Sequence, residues 1–523
     1  MISTLDFFLL VFPFILVVFF FVKHLIPKVS HIVLLIGLYF LVFKASPFSL
    51  LLLFATSSLN YLLQRMILKQ KKPFWLLVFG IAIALLPLFW FKFIADIGAD
   101  VQGNDSGLLF TIGIPIGLSF YALQQVSVLL DSYKEKCIPL SFSRHLLYLG
   151  FFPNFVAGPV FVYQEARERF RSIGRIEVPQ SWIGNGLALY MFGLAKKLWI
   201  ANPIGGAINH IYSFYGASDE PWGMVEAWYV VWGFLVQLYF DFSAYSDMAI
   251  GLAMCFGILL PINFDSPLKA YTTQEYIARW HMSFTHFVKL YLFVPILSLM
   301  KKLPIKNTTK KMSVAWGVGM FSSYMVIGIW HSPNLTIMLT TIVVILILFM
   351  CKLPSVISGN LQVNVVSGFK RQINRTTILV FSMLMATGLK VQDLSIMREV
   401  YTSLINFSEL SLPAVLAHYL PSRFVDLGRF DGFAIALHHY QQGSFIFISK
   451  IAYLLVLVLA TLGIFLLPNS MELFDIKNSK KSSVFKNGEG GRFYCIFTSL
   501  FILVVFATIF ENHNLDSFIY DKF

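Results

Sequence analysis

The chain has 523 residues, 57% of them hydrophobic and 13% charged, with a formal net charge of +13. A soluble domain is about a quarter charged, so this composition, with a mean hydropathy of +0.72, excludes a soluble globular protein and indicates a polytopic membrane protein. The positive charge does not point to nucleic acid, because Lys and Arg stand in short clusters between apolar runs, at 65–72, 167–175, 301–311 and 477–486, as the positive-inside rule produces.

Apolar stretches long enough to cross a hydrocarbon core of about 30 Å recur from end to end, and they predict an all-α fold of about eleven to thirteen membrane helices. The first, at 7–22, has no basic region before it and no small-residue cleavage site, and Lys23 and Lys28 follow it. It reads as a retained helix with an extracytoplasmic N-terminus. Runs at 32–43, 49–63 and 74–91 then alternate in direction: the second of these ends at a basic cluster, and the third exits into an acidic, Gly-rich turn at 96–107. The run at 108–130 re-enters.

The stretch 145–163 is apolar, yet Pro153, Gly158 and Pro159 would break a regular helix. Irregular backbone at membrane depth needs protein or water to satisfy it, so this is expected to be a re-entrant or broken segment on the cytoplasmic side. A helix at 182–210, an acidic 216–223 and an apolar run at 225–260, too long for one span, come next. Later spans are expected at 286–300, 314–331, 335–352, 377–390, 447–467 and 493–511, with a mixed, interfacial or extracytoplasmic segment at 391–446. No half-to-half repeat is visible. The cysteines at 137, 255, 351 and 495 lack metal-ligand spacing, and neither a zinc site nor a disulfide framework is read from them.

Polar residues inside apolar runs carry the functional information, because an Asp at a membrane-helix centre costs about 2.5–3.5 kcal/mol on insertion scales. In "QLYFDFSAYSDMAIG" (237–251), Gln237, Asp241 and Tyr245 share one helix face, and Ser243 and Asp247 share another. Two readings stand: a hydrogen-bonded clasp between helices, or a polar wall of a substrate cavity. In 263–296, Arg279, Trp280, His281 and His286 lead into an apolar helix; Arg279 can pair with Glu275 one turn away, and His281 alone is ambiguous. His331, in "IGIWHSPN" (327–334), precedes Ser332 and Pro333. Pro333 disfavours helical geometry at Ser332, so a helix over 314–331 should end there and leave the imidazole at a break, either as a general base in a cavity or as a donor to a freed carbonyl. The pair His438 and His439 has no carboxylates to complete a metal site, and no hydrolase, zinc-protease or phosphate-loop signature is present.

The stretches "IPIGLSFYALQQVSVLLDSYK" (114–134), "FFPNFVAGPV" (151–160), "DFSAYSDMAIGLA" (241–253), "NFDSPLKAYTTQEYIARWHMSF" (263–284), "GIWHSPN" and the terminal "SFIYDKF" resemble, in this order, the motifs of the membrane-bound O-acyltransferase family, in its bacterial branch of alginate O-acetylation and teichoic-acid D-alanylation proteins. The resemblance implies a multi-helix fold around a central channel, with N-terminal membrane helices over 1–100, a catalytic core over 101–355 and C-terminal membrane helices over 356–523. It implies no bound metal or cofactor, a thioester co-substrate (acetyl-coenzyme A or an acyl carrier protein) on the cytoplasmic side, and location in the cytoplasmic (inner) membrane among its lipids. The hydroxyl acceptor, an envelope polysaccharide or an extracytoplasmic partner protein that delivers the group, would be reached from the outer side. His331 would be the catalytic histidine and His281 a second functional one, with Asp241, Ser243, Tyr245, Asp247, Arg279, Trp280, Trp330 and Asn334 shaping the substrate cavity.

Three places depart from the family pattern. Ser332 follows the histidine where glycine is usual, Lys289 and Leu290 replace an Arg-Asp pair, and "MATGLK" (385–390) does not reproduce a later Phe-Arg motif. Acetyl is the expected acyl group and D-alanyl the alternative. A proton-coupled secondary transporter using Asp241, Asp247, His281 and His331 as a relay, and an assembly factor without catalysis, are the readings from other classes.

Overall fold

A computed structural model describes residues 7–70, 73–94, 114–134, 138–217, 222–302, 304–305, 308–332, 334–357, 369–391, 393–406, 445–474 and 476. The expected span at 493–511, the acidic turn at 96–107, Cys137, Cys495, Pro333, the 438–439 histidine pair and the terminal "SFIYDKF" lie outside the described residues. Among the described residues the protein is helical, with no strand. Stretches Phe7–Leu25, Pro47–Lys69, Phe74–Lys92, Met282–Met300 and Lys311–His331 are long and apolar enough to cross a membrane, and Ser30–Ala45, Leu335–Cys351 and Leu454–Leu466 are shorter apolar helices. The chain is an all-α polytopic membrane protein.

Helices α1 (Phe12–Leu25), α2 (Ser30–Ala45), α3 (Pro47–Lys69) and α4 (Phe74–Phe89) pack in chain order, and α4 runs on through a π-helical turn, Trp90–Ile94. Their outer faces expose Phe14, Val17, Phe21, Ile36 and Leu51, side chains that suit lipid rather than water. Helix α5 (Leu118–Lys134) packs on α3 and α4 and is buried over most of its length.

The irregular stretch is found where the prolines and glycine place it. Helix α6 (Phe142–Leu149) ends at Gly150, residues 151–162 are non-helical and almost wholly buried, and α7 (Tyr163–Ser172) follows. Side chains meet its backbone groups, as buried non-helical backbone requires. The Tyr148 hydroxyl donates to the Phe161 carbonyl at 2.6 Å, Asn154 Nδ2 donates to the Pro159 carbonyl at 3.2 Å, and the Val160 N–H donates to Ser283 Oγ at 2.9 Å.

The expected helix at 182–210 is α8 (Gln180–Lys196), a π-helical turn (Lys197–Ala201) and α9 (Asn202–Ala217). The apolar run at 225–260 is a single helix of 32 residues, α10 (Met224–Cys255), about 48 Å long at 1.5 Å per residue. It contains no proline, and it stops at Gly257, whose φ of 79° is the left-handed geometry of a helix C-terminus. The N-terminal half of α10 packs in one core cluster with α9, and the C-terminal half in another with α8 and the irregular stretch. Helices α8 and α10 run antiparallel in close contact: a Cβ on Gly251 would lie 2.3 Å from the Gly186 carbonyl oxygen, and one on Gly186 would lie 2.5 Å from the Gly251 oxygen. Small residues at such crossings let backbones touch.

After α10 come α11 (Thr273–Arg279) and α12 (Met282–Val288), the latter extended by a π-helical turn (Lys289–Phe293) and α13 (Val294–Met300). The apolar pair α14 (Thr308–His331) and α15 (Leu335–Ile357) follows, then α16 (Phe369–Lys390), α17 (Leu394–Ser403), α18 (Phe445–Leu466) and the short α19 (Ser470–Leu473).

Candidate active site

His281 sits at a break. Helix α11 starts at Thr272, whose side chain caps the Glu275 N–H, and it closes at Trp280 in extended geometry. His281 then adopts φ 43° and ψ 54° before α12 begins. A left-handed non-glycine residue costs on the order of 1–2 kcal/mol, and such residues gather at functional sites. The ring is 4% exposed, lies edge-on to Phe242 at 4.6 Å and stacks on Phe284 at 5.1 Å. Nδ1 is 3.2 Å from Asn263 Oδ1, while Nε2 is buried with no hydrogen-bond partner among the described residues.

Asn263 fixes this ring. Its Oδ1 accepts the Ser283 hydroxyl at 2.5 Å, its Nδ2 donates to Ser246 Oγ at 3.0 Å, and its carbonyl accepts the Met282 N–H at 2.8 Å. With Oδ1 facing Nδ1, the imidazole carries its proton on Nδ1 and presents a lone pair at Nε2.

His331 is the last residue of α14, where the sequence places the end of that helix. The Trp330 ring lies 4.8 Å from the His331 ring and stacks on Phe284 at 4.8 Å, so an aromatic row joins His281, Phe284, Trp330 and His331. Asn334 is the N-terminal cap of α15, its Oδ1 accepting the Ile337 N–H at 2.8 Å.

Both histidines line one cavity of about 80 Å³. Its walls come from α10 (Leu235, Leu238), α11 (Tyr276, Ile277), α14 (Tyr324, Ile327) and α16 (Phe381, Met385, Leu389), with Trp280 and Thr285 beside His281. The α16 side chains were not anticipated, since "MATGLK" matches no motif. In hindsight the only signal was the apolar run at 377–390.

Asp241, Ser243, Tyr245 and Asp247, expected either as a clasp between helices or as a polar wall, have partners on neighbouring elements. None of them is among the residues lining this cavity. Asp241 pairs with Lys197 at 3.0 Å, Asp247 with Lys196 at 2.7 Å, and Lys196 also donates to Ser243 Oγ at 3.0 Å. The Ser470 hydroxyl reaches Asp247 at 2.9 Å, and the Tyr245 hydroxyl accepts the Val156 N–H at 3.3 Å. The motif is therefore the interhelical clasp, tying α10 to α8, the irregular stretch and α19. Buried carboxylates need such partners, and Lys196 and Lys197 inside an apolar run were the available sign of them. Arg279 pairs with Glu275 at 2.6 Å, and it, Trp330 and Asn334 stand next to the lining rather than in it.

The model of the membrane-bound O-acyltransferase family matches residues 19–355. Over 208 residues the chain is 33% identical to the peptidoglycan O-acetyltransferase of Helicobacter pylori, covering 35% of this chain and 39% of that protein. It is 28% identical over 273 residues to a probable alginate O-acetylase AlgI of Pseudomonas syringae pv. tomato, covering 50% and 48%. It is 24% identical over 263 residues to a teichoic acid D-alanyltransferase of Streptococcus thermophilus, covering 50% and 60%. The matched part thus spans between about two fifths and three fifths of these curated relatives. With more than half of its length under the family model, and with the histidines of two of its motifs on one cavity, the chain belongs to the membrane-bound O-acyltransferase family.

Proposed function

We propose that this protein moves a short, uncharged acyl group, acetyl, from a cytoplasmic thioester donor to a hydroxyl outside the cytoplasmic membrane. The acceptor is an envelope polysaccharide or a partner protein that delivers the group to one. The observation that carries this reading is the cavity shared by His331 and His281, small, largely apolar and without an acidic side chain among its described lining residues. His331 takes the proton of the acceptor hydroxyl as the oxygen attacks the thioester carbonyl; the C–S bond breaks, and the thiolate leaves and is protonated. His281, held by Asn263, orients a reacting group through Nε2, and the aromatic walls exclude the water that would hydrolyse the thioester. The donor is coenzyme A or a carrier protein, and no metal enters the step.

D-alanyl transfer is the second reading, favoured by the D-alanyltransferase relative. Its ammonium would enter a cavity that offers the rings of Tyr276, Trp280 and Tyr324 but no carboxylate among its described lining residues, which is weaker than an ion pair once desolvated. The transporter relay is disfavoured because Asp241 and Asp247 are engaged with Lys197 and Lys196.

Mass spectrometry of envelope glycan from cells with and without the protein tests the assignment. Acetyl esters are expected to disappear with the protein, and His331→Ala, present at wild-type level, is expected to lower transfer by about 100- to 10,000-fold. Unchanged acylation in that variant would remove His331 from the chemistry, and loss of D-alanyl instead of acetyl esters would decide for the second reading.

A further inference from the structure

Lys92 is 5% exposed at the end of an apolar helix, and a buried ammonium persists only with partners. Its partners belong to the helix that ends in His331: Nζ donates to the Trp330 carbonyl at 2.6 Å and to the His331 carbonyl at 3.3 Å. The same ammonium is 5.2 Å from the centre of the Trp330 ring.

The last carbonyls of a helix have no intrahelical donors and form the negative end of its dipole. In α14 the Ser332 N–H is used by Gly328 at 3.1 Å, and the next residue, Pro333, has no N–H to offer. A cation therefore does here what a glycine cap does elsewhere. Trp330 is held on two further sides, by Phe284 stacked at 4.8 Å and by Phe120 edge-on at 6.2 Å.

We propose that Lys92 is a positioning residue for His331: it pins the final turn of α14 so that the imidazole keeps its place on the cavity wall. The π-helical turn Trp90–Ile94 is then the part of the N-terminal helices that serves the chemistry, although 238 residues separate Lys92 from Trp330. The proposal rests on the reading of His331 as the base. A misplacement of about 1 Å at such a group costs on the order of 100-fold.

The test uses full-length protein in lipid nanodiscs, acetyl-coenzyme A as donor and peptidoglycan fragments as acceptor, with His331→Ala as the inactive control. Lys92→Met is expected to lower kcat by about 100-fold while KM for the donor stays within about twofold, and Lys92→Arg to recover most of the loss. In parallel, diethylpyrocarbonate labelling read by mass spectrometry reports the histidines directly. His331 should label several-fold faster in Lys92→Met and return to wild-type rate in Lys92→Arg, while His286, on α12 with a half-exposed side chain, is unchanged. Wild-type kcat and labelling in Lys92→Met overturn the proposal, as does a rise at every histidine together, which would mark general loosening. Wild-type protein inactive with this substrate pair, but with Lys92-dependent labelling of His331, counts against acetyl transfer between these two substrates and upholds the placement of Lys92.

Discussion

Two buried polar regions lie side by side in this protein and use their polarity differently. In the clasp between α8 and α10, Lys197 meets Asp241 and Lys196 meets Asp247 and Ser243. In the cavity, His281 has one nitrogen on Asn263 and the other, Nε2, buried without a hydrogen-bond partner among the described residues. A polar group engaged by protein partners stabilises an arrangement, whereas one left facing a cavity costs stability and is retained for what it can bind. The motif that stands out in the sequence, D-F-S-A-Y-S-D, belongs to the first kind and reaches the second through Ser246, which holds Asn263, which holds His281.

The largest effect is expected in the clasp. Lys197→Met leaves the Asp241 carboxylate, 3% exposed, without its cation, and breaking a buried pair in this way costs about 3–5 kcal/mol. Thermal unfolding in nanodiscs should show the loss, and the double variant Lys197→Met/Asp241→Leu should regain most of it, because a well-packed apolar pair of similar volume is roughly neutral relative to a buried ion pair. A single variant as stable as wild type would show that the pair contributes nothing to the fold.

The sequence made the helices legible because apolar length and helix breakers are local properties. Pro153, Gly158 and Pro159 marked the irregular stretch, and the end of α14 at His331 followed from Pro333. Partnership was not legible, because it is set by which helices touch. Asp241 read equally well as clasp or cavity wall until the crossing of Gly186 and Gly251 brought α8 against α10. Lys92 directly follows the apolar run at 74–91 and carried no motif, nor did the α16 wall of the cavity. His331 stood out in the sequence because an imidazole has few other reasons to stand among isoleucines, whereas His281 alone was ambiguous.

An intermediate effect is expected at the join between the two regions. Asn263→Leu removes the acceptor facing His281 Nδ1 and the Ser283 hydroxyl, and leaving a buried donor unsatisfied costs about 1–3 kcal/mol. Acyl transfer should fall by roughly 10- to 100-fold, the kinetic form of that cost. Asn263→Asp keeps the acceptor and should stay within about tenfold of wild type. Equal losses in the two variants would show that the amide N–H donated to Ser246, absent in both, matters rather than the tautomer of His281.

The smallest effect separates the acyl groups. A cavity of about 80 Å³ is roughly half the size of an apolar cavity of about 150 Å³ that accepts benzene, which leaves room for an acyl group of two to four carbons. Met385 and Leu389 on α16 line the same cavity as the two histidines, and neither is fully buried. Shortening Met385 to Ala extends the cavity without touching either imidazole. One methylene in an apolar pocket is worth about 1–3 kcal/mol of discrimination. Competition between acetyl- and butyryl-coenzyme A should therefore shift by about tenfold toward butyryl in Met385→Ala, with the acetyl rate nearly unchanged. The same variant should gain nothing with a D-alanyl donor, because removing a methionine adds space and no anion. An unchanged acetyl-to-butyryl ratio in a stable Met385→Ala protein would mean that the acyl group rests elsewhere, and that the cavity between the histidines receives the acceptor hydroxyl instead.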